Sequence, residues 1–292
     1  MTTPDFPTNP VYWVANHLCQ YLRTGDGLYF KTSSGRGPWV RTMLRGRLDS
    51  SIDTNRLFRD TESRFPERWR KDGWYLSTVT ALIASGQPGL IGSLYNYIIS
   101  QPSYQTSAER QRLVRRMREA MIKCIILNGI PIVMEAFVSL AKQEKPEDQD
   151  HSFTREDWKA DGANHKRGLE VLETLYGDDN EKIWASFGSH KDIPWLSTDI
   201  SYGLFLADHN TLDIIESELV ILPAIMCQGL VPSTKWHLRG CLRVGCTREE
   251  VECIQQVIED IAKTCGKRLQ GLPRVSDIPD DDIRRVESVK EP

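Results

Sequence analysis

Two residues in the C-terminal third have the types and spacing that proton transfer requires. Glu218 lies in the apolar run Leu212 to Met226, and His237 follows in a segment that opens Pro232-Ser233-Thr234. Both segments have helical spacing, and Gly229-Leu230 between them reads as the turn of an antiparallel hairpin that can bring the two side chains together. A carboxylate beside an imidazole fixes its tautomer and raises its basicity, which is the equipment of a general acid/base. Ser233 lies four residues before His237 and Cys241 four after it, so all three share one helix face. Trp236 is expected to touch a ligand or a neighbouring subunit. Arg239 is a candidate for bidentate pairing with a substrate carboxylate.

The elements that must hold these residues are helical. Trp74, Tyr75, Val79, Leu82 and Ile83 recur at helical spacing until Gly86 and Pro88, and Leu90 to Ile98 marks a second helix. Ser107 is expected to cap a helix over 108–127, and Asn128-Gly129-Ile130-Pro131 breaks it before another over 133–142. Residues 143–150 read as an exposed acidic linker. Further helices are expected over 155–176, 212–226 and 232–244, with an aromatic mixed stretch over 192–203. Thr247 and Glu250 form a capping box for the last long helix, whose core face is Val251, Ile254, Val257, Ile258 and Ile261. A short helix is expected over 11–22 and a plain loop over 32–38. No stretch alternates as a strand does, so the chain reads as all-α.

Composition narrows the classes. The 292 residues carry 37 Lys+Arg against 40 Asp+Glu, a net charge of −3, and this near-neutral balance argues against a nucleic-acid partner. No apolar run reaches the ~18 residues of a membrane span, and no secretory signal opens the chain. Seven cysteines without CxxC or zinc-like spacing read as reduced thiols, so the expected location is cytoplasmic. No metal site or cofactor is expected.

The stretch Trp236-His237-Leu-Arg-Gly-Cys-Leu-Arg-Val-Gly245-Cys-Thr247-Arg-Glu249-Glu250, with Glu218 upstream, resembles the carboxymuconolactone decarboxylase/alkylhydroperoxidase-D-like (AhpD-like) family. That family has a Glu on one helix, a His roughly 19 positions on, and a Gly, a Thr and a Glu pair opening the next. The runs from Arg118 to Lys123, Asn128 to Pro131 and Gly168 to Gly177 are similar to its longer fungal members. The resemblance implies an AhpD-like helical bundle over 105–270, while by their own residues 1–104 read as a partly helical extension and 271–292 as a charged, mobile tail. It also implies a homodimer or larger assembly, with His237 and Glu218 catalytic. Thiol reductases of the family carry CxxC just before the His, and here Leu230 and Ser233 occupy those positions, which places the chain nearer the decarboxylase branch. The expected activity is a cofactor-free lyase or isomerase acting on a small lactone, phenolic or keto-acid metabolite. The alternatives are a thiol-dependent oxidoreductase using other cysteines, and a non-catalytic assembly protein.

Overall fold

The structure, a computed structural model, describes residues 52–283. The helix expected over 11–22, the loop over 32–38 and the end of the tail beyond residue 283 lie outside the described residues. The protein is all-α, and no strand occurs among the described residues. The helices are α1 (Thr54–Arg64), α2 (Trp74–Ala84), α3 (Ile91–Ile99), α4 (Ser107–Asn128), α5 (Ile130–Ala141), α6 (Gly162–Tyr176), α7 (Asp179–Ser186), the single turn α8 (Asp192–Trp195), α9 (Ile214–Met226), α10 (Val231–Arg243) and α11 (Arg248–Thr264). Helix α8 runs directly into a π-helix, Leu196–Leu206.

Capping residues set several of these starts. Thr247 accepts from the Glu250 N–H while Glu250 accepts from that of Thr247, the capping box read from the sequence. For α4 the cap is Thr106 rather than Ser107. Its hydroxyl accepts from Glu109 N–H and its own N–H donates to the Glu109 carboxylate, so the T-x-x-E pair begins one residue earlier. Helix α6 starts at Gly162 rather than Arg155, because Asp161 caps it. Arg155 is held outside the helix in a bidentate pair with Glu119 at 2.7 Å.

Every residue of α2 is buried, as its apolar perimeter requires. It packs on α9, α4 and α11, so helices on both sides of position 104 share one core. Val251, Ile254, Val257, Ile258 and Ile261 of α11 all face into it. Val275 and Ile278 of the C-terminal stretch are buried against the same core.

Helix α9 carries an internal proline. Pro223 has no N–H, which deprives the Leu219 carbonyl of its intrahelical partner. The Ser77 hydroxyl of α2 donates to that carbonyl at 2.7 Å.

A second, smaller apolar cluster joins α6, the π-helix and α9 through Leu172, Leu175, Tyr202, Leu206, Ile221 and Ile225. Here backbones meet without intervening side chains. A Cβ on Gly168 of α6 would fall 2.1 Å from the Thr198 carbonyl oxygen of the π-helix. The C-terminal end of the π-helix leaves carbonyls without helical partners. Lys123 of α4, fully buried, donates to those of Leu206 at 2.8 Å, Asp208 at 2.9 Å and Phe205 at 3.3 Å.

Candidate functional site

Helices α9 and α10 form the expected hairpin. Gly229 makes the turn at φ +74°, a conformation that favours glycine, and its N–H bonds the Met226 carbonyl. Asp213 caps α9, which fixes where its second turn falls and sets Glu218 on the side facing α10. Gly240 keeps that side open, since a Cβ there would lie 3.3 Å from Leu175 and 3.5 Å from Glu218 Oε2.

In this frame His237 Nδ1 lies 2.9 Å from Glu218 Oε2, with the two side chains 3% and 1% exposed. His237 Nε2 lies 3.0 Å from the Tyr176 hydroxyl at the end of α6, and that hydroxyl lies 2.8 Å from the Tyr202 hydroxyl on the π-helix. With Glu218 carrying its charge, the donors follow in order. Nδ1–H donates to the carboxylate, Nε2 accepts from the Tyr176 O–H, and the Tyr176 oxygen accepts from the Tyr202 O–H. Burial pushes both phenols well above their ordinary range. For Tyr202 the neighbouring Tyr176 adds to this, and Glu218 adds to it for both. Glu218 Oε1 is buried and has no hydrogen-bond partner.

The chain of four groups opens on a cavity of about 200 Å³ lined by Tyr176, Tyr202, Ser233, Trp236 and His237, by Ser197 and Ser201, and by Ile126, Leu127, Leu206 and Ile225. The π-helix contributes residues 197, 201, 202 and 206, the four-to-five spacing of a helix bonded i to i+5. A larger depression of about 510 Å³ between α1 and α11 contains Asp53, Arg56, Asp60 and Arg64 but no histidine or cysteine. It lies on other elements and has none of this chemistry.

Of the residues singled out in the sequence, His237, Ser233 and Trp236 line the cavity and Glu218 stands behind the imidazole. Arg239 does not line it. Two residues along α10 is a rotation of about 200°, so its guanidinium turns away and pairs with Asp179 of α7. It lies in a shallow depression on the other side of Trp236, with Lys182 and Lys235. The expected clamp on a substrate carboxylate is therefore not part of this cavity. Cys241 shares the His237 face but lies deeper. It is buried, its thiol sits 3.9 Å from Glu218 Oε2, and it is absent from the cavity lining. Cys246, burial and Glu218 together push that thiol well above its ordinary range. The six described cysteines are free, and burial raises the buried Cys227 to about 11 and Cys124 to about 12. Among the described residues, no cluster of three His, Cys, Asp or Glu side chains could hold a metal ion.

Tyr176, Ser197 and Ser201 were missed in the sequence. Tyr176 had one signal, as the final aromatic residue of an amphipathic helix ending at Gly177. The serines had none, because a π-helix repeat is not among the periodicities that distinguish helices from strands.

Two yeast proteins are similar to the chain. It is 28% identical over 157 residues to Peroxisomal protein 2 of Schizosaccharomyces pombe, an overlap of 53% of this chain and 73% of the relative. It is 22% identical over 193 residues to Peroxisomal protein 2 of Saccharomyces cerevisiae, covering 58% and 68%. No family model matches the chain, and no solved structure matches it. The relatives' names overturn the cytoplasmic location expected from the sequence and point to the peroxisome. Among the described residues, no helix is long and apolar enough to cross a membrane.

Proposed function

We propose that the protein is a peroxisomal proton-transfer enzyme, a lyase or isomerase of the carboxymuconolactone decarboxylase/alkylhydroperoxidase-D-like type, acting on a small organic molecule. One observation carries the reading: a buried carboxylate holds a histidine by Nδ1 while the same ring lines a cavity sized for a small ligand. In this mechanism Glu218 holds the ring in the Nδ1–H tautomer and stabilises its charged form. A proton leaving the ligand passes to the Tyr176 oxygen as Tyr176 gives its own to His237 Nε2. No free phenolate forms, in keeping with the high proton affinity of this buried phenol. The reverse transfer delivers a proton to carbon or oxygen. Decarboxylation, double-bond migration and ring closure all pass through an anion that the imidazolium and the phenol donors would stabilise. The buried thiols with raised proton affinity do not favour a thiol-based reaction.

A homodimer or larger assembly belongs to the same proposal. Exposed apolar side chains stand beside the lining segments in the chain: Ile130 after Leu127, Trp195 and Leu196 before Ser197, and Leu230 and Val231 before Ser233. Sedimentation of the wild type against a Leu230→Lys/Val231→Lys variant tests it, and an unchanged mass would refute this face as the contact.

His237→Asn is the incisive variant. The Asn side-chain amide can still donate to Glu218, so the buried carboxylate keeps its partner while the second ring nitrogen is lost. Exchange of carbon-bound hydrogen for deuterium, read by NMR over a panel of small lactones, phenols and keto acids, should proceed with the wild type and fall at least ~100-fold in the variant. Equal exchange, or none with any compound, refutes the proposal. A fluorescent fusion that fails to coincide with a peroxisomal marker refutes the location.

A further inference from the structure

We infer that the cavity is selective for an uncharged ligand: a single-ring-sized molecule bearing hydroxyl or carbonyl groups, with carboxylates and phosphates excluded from the reacting position. The inference rests on the proton-transfer reading for the meaning of the site and deepens it by naming the substrate class: double-bond migration and ring closure of neutral lactones and phenols remain, and decarboxylation and keto acids fall away. Size comes first. A cavity of roughly 150 Å³ holds benzene, so about 200 Å³ accommodates one substituted ring or its aliphatic equivalent.

The chemistry of the lining comes next. The polar side-chain groups are three serine hydroxyls, two phenols, one imidazole and the indole N–H of Trp236, and the remainder is apolar. Neutral donors and acceptors of this kind satisfy hydroxyls and carbonyls, whose partners are most valuable where water is excluded. No Lys or Arg lines the cavity. Of the basic groups near it along the chain, Lys235 is exposed in the depression on the other side of Trp236, and the others are engaged. Arg239 and Lys182 pair with Asp179, and Arg243 donates to the Leu175 carbonyl.

Charge decides the matter. Glu218 stands directly behind the imidazole, 1% exposed, with Oε1 lacking any partner. Glu218 thus sets a carboxylate in a poorly solvated surrounding, and no Lys or Arg lines the cavity to offset it. A ligand arriving as an anion meets repulsion without a countercharge. A neutral ligand meets none, and its negative charge develops only as His237 becomes an imidazolium. The attraction is then confined to the intermediate and the transition state leading to it, where it accelerates the reaction.

Ligand-observed NMR on the full chain tests this with matched probes, benzamide against benzoate and 4-hydroxyacetophenone against 4-hydroxybenzoate, at a pH where both acids are ionised. Each neutral member should bind at least ~10-fold more tightly than its anion. Ser201→Trp, which fills the cavity, should abolish that binding. Ser233→Lys, which adds a cation to the lining, should narrow the preference at least ~10-fold, and Glu218→Gln should narrow it as well. Equal or tighter binding of the anions, no binding of either neutral probe, or neutral binding that survives Ser201→Trp would overturn the inference. His237→Asn keeps Glu218 and should keep the selectivity. An unchanged exchange rate in that variant would sink the proton-transfer reading alone, whereas a preference for benzoate would sink the neutral-ligand reading alone.

Discussion

Replacing Gly168 by Ala should damage the site from a distance, and the size of the effect follows from the packing. The new methyl carbon would lie 2.1 Å from the Thr198 carbonyl oxygen and 3.0 Å from the Gly203 nitrogen. Both atoms are backbone, so no side chain can swing aside. A carbon and a carbonyl oxygen settle at roughly 3.3 Å, which requires α6 and the π-helix to part by about 1.2 Å. Overpacking of this kind costs roughly 1–3 kcal/mol, partly offset by the better helix propensity of Ala, about 1 kcal/mol. A net loss of up to about 2 kcal/mol corresponds to a fall in Tm of up to roughly 8 °C for a protein of this size. The same movement separates Tyr176 on α6 from Tyr202 on the π-helix, stretching their 2.8 Å contact beyond hydrogen-bonding range. Calorimetry and deuterium exchange should therefore report a lower Tm together with slower turnover. Gly162→Ala in the same helix is the control, since nothing lies within 4 Å of its Cβ position. If Gly168→Ala melted and turned over like Gly162→Ala, the argument from close backbone approach would be wrong.

Tyr176→Phe removes the hydroxyl between His237 and Tyr202, so exchange should drop at least ~10-fold while Tm moves only a few degrees; wild-type exchange would show that Tyr176 is not on the proton's route. Lys123→Met strips the Leu206 and Asp208 carbonyls of their lysine donor, leaves that of Phe205 with Arg155 alone and Glu119 without one of its two cationic partners, a loss of about 2–4 kcal/mol by chemical denaturation, and an unchanged midpoint would refute the fastening role. Stability should fall as pH rises above about 10. Burial raises Tyr75 to about 12 and lifts Tyr176 and Tyr202 as well, so the unfolded chain releases its phenol protons first. Tyrosine absorbance should then appear together with unfolding, and ionisation of all the tyrosines near pH 10 in the folded protein would contradict it.

The sequence made the hairpin legible because each of its signals is local. An apolar run, a glycine turn and a proline-opened helix suffice to place Glu218 opposite His237. The capping box at Thr247 was equally local, and Thr106 shows the precision of such signals, since Thr and Ser in succession both qualify until the partner at Glu109 decides. Arg239 stands outside the cavity because two positions along a helix reverse the facing, an angle that residue type alone does not carry. The boundary at 104 followed the reach of a family resemblance, whereas burial of α2 among α4, α9 and α11 depends on pairings between distant segments. The π-helix and its serines stayed hidden because an i to i+5 ladder is stabilised by what surrounds it, here Lys123 at one end and the Gly168 contact along its side.

The proline in α9 has a consequence for how this lineage can change. Pro223 and Ser77 lie far apart in the chain, yet one supplies the vacancy that the other fills. Losing the hydroxyl first strands a carbonyl in a dry interior, whereas losing the proline first restores the helical N–H and leaves the serine merely redundant. Substitution at the two positions therefore has a permitted order, and descendants with an apolar residue at 77 should be found only where 223 has already ceased to be proline.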